Sequence, residues 1–182
     1  MENSSNWIID RTESVLPAEF YNLVQANHDR IIRAFPITVT ACADIAGTER
    51  FLLDAIEKER NNEGFHFFVR DSVSATLIGF LCIRKIDLQL MKCELAYFID
   101  VNFEGKGIIS SALGKVIEIC FSELNLNKVF IRTSLDNIGS QNIALKHNFK
   151  LEGILRQEYK NGFGILEDIN YYGLLKSDYH ER

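Results

Sequence analysis

The first 60 residues show apolar positions at the spacing of α-helices. Over Pro17–Phe35 they recur every three or four residues, and Pro17 suits the first turn of a helix, where no backbone N–H is needed. The polar residues at 27–29 leave open a break into two helices. A further amphipathic segment runs over about Ala46–Arg60, and Trp7–Asp10 suits a short first strand.

After residue 60 the pattern changes to segments rich in aromatic and β-branched residues, which indicate strands. An apolar stripe over Ile109–Leu124 predicts a helix that covers a sheet, and Ser140–His147 predicts a short one. The dipeptide Asn161-Gly162 is a hairpin turn signal. The predicted strands are Phe65–Asp71, Ala75–Ile83, Met91–Val101, Lys128–Leu135, Lys150–Tyr159 and Ile165–Leu175. This order predicts a mixed sheet with helices on its faces.

The composition is that of a globular protein with a sizeable core. Of the 182 residues, 47% are hydrophobic and 25% are charged. No repeat, low-complexity tract or linker interrupts them, so we expect a single domain over 1–182. The net charge of −5 and the absence of basic clusters argue against a nucleic-acid partner and against ribosome docking.

Targeting signals and metal motifs are also missing from the sequence. The N-terminal stretch MENSSNWIIDRTES lacks the charge and apolar run of a secretion signal, and no stretch approaches the roughly 20 apolar residues of a membrane span. We therefore expect a cytoplasmic protein with no membrane partner. The cysteines form no C-x-x-C pair, so reduced core thiols are expected rather than a metal site.

The segment EGKGII at 104–109 lies between a predicted strand and a predicted helix. Its two glycines allow a tight turn and a close approach of the backbone to a ligand. The helix that follows begins with unpaired N–H groups and the positive end of its dipole. These features predict a pyrophosphate-binding turn, although a turn that merely needs glycine has the same pattern.

Three phosphate-binding motifs compete for this turn. A Walker A loop needs glycine at position 100 and Ser or Thr where Gly107 stands, so it does not match. A dinucleotide-binding fingerprint needs a third glycine where Ser110 stands, and it opens a parallel unit. The third pattern, Q/R-x-x-G-x-G/A, is the acetyl-CoA turn of the GNAT acetyltransferase superfamily. It matches at Gly107, whereas Glu104 and Ile109 replace its usual residues.

A second segment, RTSLDNIGSQNIALKHNFKLEGILRQ at 132–157, favours the third motif. It resembles the closing motif of the RimJ/RimL-type ribosomal-protein N-terminal acetyltransferases, and the similarity extends over roughly 75–176. Asn148, where relatives often have glycine, suits a left-handed residue at the end of a helix. The matching residues are Asn137, Ser140, Phe149, Glu152, Gly153, Arg156, Asp168, Tyr172, Leu174, Leu175 and Lys176.

The resemblance implies a GNAT-like α/β (α+β) fold: a central mixed, mostly antiparallel sheet with helices on both faces and a splayed acetyl-CoA cleft. In that fold the strand Cys93–Val101 separates from Lys128–Leu135, and the pantetheine arm enters the opening. One main-chain N–H there would stabilise the tetrahedral oxyanion. The implied cofactor-binding residues are Phe98, Ile99, Val101, Gly105, Lys106, Gly107, Ile108, Ile109, Ser110, Asn137 and Asn142. No metal is implied.

The resemblance also implies direct acetyl transfer to a primary amine. Ser140 is the candidate proton donor to the leaving thiolate, although a helix N-cap is the alternative interpretation. Glu158, just before Tyr159, is the candidate general base; Glu94 is its rival, and a solvated surface glutamate is the alternative. An α-amine with a pKa of about 7.7–8 needs less assistance than a lysine near 10.4, which favours N-terminal acceptors.

The acceptor stays open at this level. By resemblance it is the N-terminal α-amine of a ribosomal or other protein, whereas a polyamine, an antibiotic or an amino acid would suit the same chemistry. A catalytically silent acyl-CoA sensor is the alternative from another class, because Glu104 and Ile109 depart from the motif. The apolar segment INYYGLLK at 169–176 leaves a homodimer open.

Overall fold

The computed structural model describes residues 6–180. The strands are β1 (Trp7–Arg11), β2 (Phe65–Asp71), β3 (Leu77–Asp87), β4 (Lys92–Ile99), β5 (Lys128–Ser134), β6 (Lys150–Lys160) and β7 (Leu166–Leu175). The helices are α1 (Pro17–Ala26), α2 (His28–Ile31), α3 (Pro36–Ala41), α4 (Ile45–Arg60), α5 (Ile108–Ser122), α6 (Ile138–Lys146) and α7 (Lys176–His180). In these residues, no helix has both the length and the apolar character needed to cross a bilayer.

The described strands form one sheet in the order β1-β2-β3-β4-β5-β7-β6, with helices on both faces. On one face α1 buries Phe20 and Val24 against the sheet, where Phe20 contacts the Phe80 ring at 5.1 Å between centroids. On the other face α5 buries Val116 and Ile117. The predicted mixed sheet covered on both faces is therefore confirmed.

All neighbouring strands are antiparallel except β4 and β5, which are parallel. These two strands pair only over Lys92–Glu94, opposite Lys128–Phe130. Beyond Glu94 they separate, so the main chain of β4 faces an opening as far as Ile99. The predicted splayed cleft is confirmed at this position in the sheet.

The end of β4 differs from the prediction. The strand ends at Ile99 rather than Val101, and a short 3₁₀ helix (Val101–Phe103) follows it. The Asp100 carboxylate accepts a hydrogen bond from the N–H of Asn102 at 2.8 Å, which turns the chain out of the sheet. Aspartate favours such local turns because its side chain competes for nearby backbone N–H groups.

The short helix before β6 begins earlier than predicted. It starts at Ile138, because Asn137 Oδ1 accepts a hydrogen bond from the N–H of Ser140 at 3.0 Å and so caps the helix. Asn137, and not Ser140, is therefore the N-cap. At the other end Asn148 has a φ of 63°, which confirms the left-handed residue expected there.

The remaining comparisons with the prediction concern helices α1, α2, α3 and α7 and strand β7. The break between α1 and α2 lies at Asn27, within the predicted 27–29. Helices α3 and α7 were not predicted, because six and five residues are too few to show a helical period. Strand β7 lies between β5 and β6, and its Ile169, Tyr172 and Leu174 are buried within this chain. Leu175 of the same segment is 37% exposed.

Candidate active site

The glycine turn has the geometry of an anion-binding loop. Gly105 and Gly107 have φ values of 71° and 75°, a left-handed region that favours glycine, and Gly107 is the N-cap of α5. A Cβ atom built on either glycine would meet nothing within 4 Å. The main chain is therefore open to a ligand at the positive end of the α5 dipole, as a pyrophosphate requires.

A cavity of about 610 Å³, which we call the glycine-turn cavity, extends from this turn along β4. Its wall includes these predicted site residues: Phe98, Ile99, Gly105, Gly107, Ile108, Ile109, Asn137 and Ser140. The two unusual residues of the motif do not obstruct it. The side chain of Ile109 is buried in the core, and the Glu104 carboxylate is paired with Arg30.

The main chain of β4 supports part of the predicted cofactor contacts. The N–H of Asp100 donates to Ile78 O on β3, so by alternation the main-chain groups of Ile99 face the opening and those of Phe98 face β3. Arg30 Nη1 donates to Ile99 O from the cleft side at 3.4 Å, which agrees with this orientation.

Four predicted cofactor residues lie outside the wall of the glycine-turn cavity. The N–H of Val101 donates to Asn27 Oδ1 at 3.2 Å, and the Ser110 hydroxyl lies 3.1 Å from His147 Nε2. Lys106 is exposed beside the turn and donates to Asn102 O at 2.8 Å. Asn142 is exposed on α6.

Asn27 connects the helix break to the end of β4, a role with no signal in the sequence. It is 1% exposed, and its Nδ2 donates to Asp100 Oδ2 at 3.0 Å. Its Oδ1 accepts from Arg30 Nη1 at 2.9 Å as well as from the N–H of Val101. These bonds hold α2 and Arg30 over the mouth of the cleft.

A second cavity of about 310 Å³ lies between β4, β5 and the β6–β7 hairpin; we call it the arginine-lined cavity. Its charged lining residues are Arg30, Arg33, Arg84, Glu94, Arg132, Asp136 and Glu167. It shares six lining residues with the glycine-turn cavity, namely Arg30, Ala34, Phe35, Tyr97, Asn137 and Ser140. The two cavities therefore adjoin where β4 and β5 separate.

Tyr97 and Ser140 form a hydroxyl pair at this junction. The Tyr97 phenol oxygen lies 3.0 Å from Ser140 Oγ. Burial raises the pKa of Tyr97 to about 12, although the bond to Ser140 acts in the opposite direction, so the phenol stays protonated at neutral pH. Tyr97 is a site residue that the sequence motifs did not indicate; the signal that could have identified it is a polar aromatic residue just before the end of β4.

Glu94, the rival general base, is locked in an ion-pair network. It is 1% exposed and contacts Arg84 Nη2 at 3.0 Å, Arg132 Nε at 3.0 Å and Lys85 Nζ at 3.5 Å. Burial alone would raise the pKa of Glu94, but the charges and hydrogen bonds of Arg84 and Arg132 outweigh it and lower the pKa. A carboxylate held in this way is a poor proton acceptor.

Glu158, the predicted base, lies outside the walls of both cavities. Its carboxylate is half exposed and is 3.4 Å from Arg132 Nη1. A bulge changes the alternation of β6 just before it, where Gln157 has a φ of 50° and donates its N–H to Asp168 Oδ1 at 2.9 Å. As a result the neighbouring Tyr159 lines the arginine-lined cavity instead.

The β6–β7 hairpin closes the arginine-lined cavity against the α2–α3 segment. Tyr159 donates its phenol proton to Ala34 O at 3.0 Å. At the hairpin tip, a Cβ on Gly162 would lie 2.1 Å from Ile32 O, so only glycine allows this approach. Arg33 reinforces the closure by binding Glu167 at 2.8 Å and Asp136 at 2.7 Å.

The four cysteines lie in the core and away from both cavities. Cys42, Cys82, Cys93 and Cys120 are buried free thiols, and burial raises the pKa of Cys42 and of Cys82 to about 11. Within residues 6–180, no three histidine, cysteine or carboxylate side chains are grouped so that they could hold a metal ion.

Comparisons with known proteins agree with this geometry. Residues 15–150 match the family model described as Acetyltransferase (GNAT) domain. The chain is 37% identical over 105 residues to the putative ribosomal N-acetyltransferase YdaF of Bacillus subtilis. The aligned segment covers 57% of this chain and 56% of that protein. The match thus spans little more than half the length of that relative.

Two solved structures share the fold. The ribosomal-protein-S5-alanine acetyltransferase of Vibrio fischeri has a TM-score of 0.85 at 20% identity, with 96% of both chains covered. The ribosomal L7/L12 α-N-protein acetyltransferase RimL, solved with coenzyme A, has a TM-score of 0.84 at 21% identity. That comparison covers 96% of this chain and 97% of the other.

Proposed function

Because the chain belongs to the GNAT acetyltransferase domain family, we propose that it transfers the acetyl group of acetyl-CoA to the N-terminal α-amine of a protein, a ribosomal protein being the first candidate. The observation that carries this proposal is the junction of two cavities at Tyr97 and Ser140. A direct reaction between two substrates requires both to reach one point in the correct orientation.

The glycine-turn cavity suits acetyl-CoA, whose thioester supplies an activated acetyl group. The first N–H groups of α5 would hold the pyrophosphate, since the space above Gly105 and Gly107 is open. The main chain of Ile99 would pair with the pantetheine arm. Lys106 supplies a cation beside the turn, and Asn142 an amide on the exposed side of α6.

Ser140 would protonate the leaving group. In the proposed reaction the amine nitrogen forms a bond to the thioester carbonyl carbon and the C–S bond breaks. The thiolate accepts the Ser140 proton, which solvent replaces, while the amine gives up its own proton to Glu158 through water. A thiol with a pKa near 8.5 makes little demand on the donor. With the Tyr97 phenol donating to Ser140 Oγ, the serine proton is directed away from Tyr97 and towards the junction.

Glu158 is the proposed acceptor of the amine proton. Its carboxylate is half exposed and lies 3.4 Å from Arg132 Nη1, whereas Glu94 is surrounded by cations. Because Glu158 lies outside the cavity wall, the proton would reach it through water. This indirect route is adequate for an α-amine, which is partly neutral at pH 7, and inadequate for a lysine side chain.

The relatives support a protein N-terminus as the acceptor. The names of YdaF and of both structural relatives refer to ribosomal or ribosomal-protein acetyltransferases. The arginine-lined cavity adjoins the glycine-turn cavity at Tyr97 and Ser140, and the first residues of a peptide would occupy it with the amine at this junction.

The proposal is tested by calorimetric titration with acetyl-CoA, followed by a transfer assay read by mass spectrometry. The acceptors are a lysine-free peptide with a free N-terminus, the same peptide with a blocked N-terminus and one lysine, and spermidine. We expect acetylation of the first alone. Absence of acetyl-CoA binding would overturn the assignment to acetyl transfer, and preferential acetylation of lysine or spermidine would overturn the choice of acceptor.

A further inference from the structure

The lining of the arginine-lined cavity is more positive than the rest of the molecule. Four arginines face three carboxylates, although the whole chain carries a net charge of −5. Two of the arginines already form ion pairs with carboxylates: Arg33 pairs with Asp136 and Glu167, and Arg30 pairs with Glu104. The charge that remains is concentrated on β3 and β5.

Around Glu94 the cations outnumber the anions. Arg84, Lys85 and Arg132 all contact Glu94, and Arg132 also contacts Glu158 at 3.4 Å. Three positive charges thus meet two negative ones. Because an arginine has five N–H donors, a pair with one carboxylate leaves capacity for a second anion.

Two buried polar atoms of residues that line this cavity have no hydrogen-bond partner among the described residues. They are Arg84 Nε and Thr133 Oγ1, and Thr133 is 5% exposed. Both atoms are closed to solvent, so the donors that a ligand could reach are the other guanidinium N–H groups of Arg84, whose side chain is 37% exposed. The Arg84 guanidinium is positioned further by Phe35, whose ring centroid is 6.0 Å from its Cζ.

The proposed cofactor site does not account for this charge. The phosphates of acetyl-CoA are expected at the glycine turn, in the other cavity, where α5 begins. A polyamine acceptor would add further positive charge beside Arg84 and Arg132, which like-charge repulsion opposes. The chemistry that satisfies the surplus positive charge is a carboxylate on the acceptor.

The position of the charge limits where that carboxylate lies. Glu94, between the arginines, is three residues from Tyr97 on β4, a separation of roughly 10 Å along a strand. An extended peptide advances about 3.3–3.6 Å per residue. A side chain at the second or third residue would therefore reach the arginines while the amine lies at Tyr97 and Ser140.

We propose that Arg84 and Arg132 form a specificity site for an acidic side chain at the second or third residue of the acceptor peptide. This inference rests on the proposed N-terminal acetyl transfer and specifies its substrate class. The site selects among acceptors; the bond-making step belongs to the junction of the two cavities.

The test compares acetyl transfer to the amidated peptides Ala-Glu-Glu-Ala and Ala-Gln-Gln-Ala, which differ in charge but hardly in shape. Amidation removes the C-terminal carboxylate. We expect kcat/KM to be roughly tenfold or more higher for the glutamate peptide, as for one charge-assisted hydrogen bond. In Arg84→Gln this ratio should fall towards one, whereas Arg50→Gln, an exposed position on α4, should keep it.

The ratio of two substrates in one enzyme preparation is insensitive to partial loss of folded protein. Equal kcat/KM values for the two wild-type peptides would overturn the specificity site and leave N-terminal transfer intact. A ratio that survives Arg84→Gln would also overturn it. Transfer to neither peptide, with acetyl-CoA bound, would overturn both the site and the proposed acceptor class.

Discussion

Tyr97 on β4 and Ser140 on α6 are 43 residues apart in sequence, yet their hydroxyl oxygens lie 3.0 Å apart where the two cavities meet. The pair spans the separation of β4 from β5. Each hydroxyl therefore fixes the position of the other at the point where acetyl group and amine would react.

Removing the Tyr97 hydroxyl should slow the reaction without weakening cofactor binding. In Tyr97→Phe the serine loses one neutral hydrogen bond, and we expect kcat to fall roughly threefold to tenfold. Ser140→Ala removes the proposed donor itself, with an expected loss of about a hundredfold. Steady-state kinetics and titration with acetyl-CoA measure the two effects; Tyr21→Phe, on α1, is the control. Wild-type kcat in both variants would exclude the pair from the mechanism.

A bulky side chain at Gly107 should block the glycine turn. Gly107→Trp fills the open space above the turn and imposes a left-handed conformation on a residue that disfavours it, by about 1–2 kcal/mol. Calorimetric titration should show that acetyl-CoA binding is lost. Gly153→Trp adds the same side chain at an open position on β6 and should bind normally. If Gly107→Trp, folded by circular dichroism, still binds acetyl-CoA, the turn is not the cofactor site.

Glu158→Gln should lower kcat much more than the affinity for acetyl-CoA, because it removes the proposed proton acceptor and leaves the glycine turn unchanged. The deficit should shrink above pH 8, where an α-amine is largely neutral without assistance. Rate–pH profiles of the variant, the wild type and the exposed-site control Glu118→Gln measure this. Unchanged turnover at pH 7 would remove Glu158 from the mechanism.

Glu94→Gln should destabilise the fold, since it leaves Arg84 and Arg132 without their shared buried carboxylate. We expect a loss of about 3 kcal/mol in the free energy of unfolding, measured by urea denaturation, with Glu49→Gln as the exposed control. The pKa of Glu94 is lowered, so its contribution is complete above its ordinary value of 4.5 and disappears as the pH falls through the lowered value. The stability difference should therefore narrow in acid; a difference that persists would contradict the ion-pair explanation.

The cysteines should be unreactive in the folded protein. Their burial, and a pKa of about 11 for Cys42 and for Cys82, leave little accessible thiolate at pH 8. A disulfide reagent such as Ellman's reagent should react with all four thiols in urea and only slowly without it. Rapid reaction of the native protein would show that the core opens at one of these sites.

Much of the local structure was predictable because it depends on neighbouring residues. The aromatic and β-branched residues of Phe65–Asp71 predicted strand β2 with both of its ends, and the helical spacing of apolar residues predicted most of α4 and α5. The left-handed residue at Asn148 and the glycine turn followed from the conformations that asparagine and glycine tolerate. The prediction failed where one short polar side chain moved a boundary, as Asp100 and Asn137 did.

What the sequence determined by itself was most of the strands and helices, the glycine turn and the family. Only the tertiary structure decided what each polar residue does. The bulge at Gln157 determined that Tyr159 lines the arginine-lined cavity while Glu158 does not. Arginines from β3 and β5 form ion pairs with Glu94, the rival candidate for the general base. The physical reason is distance along the chain: a hydroxyl pair or a buried charge network depends on partners that come from separate strands and helices, and no local pattern records them.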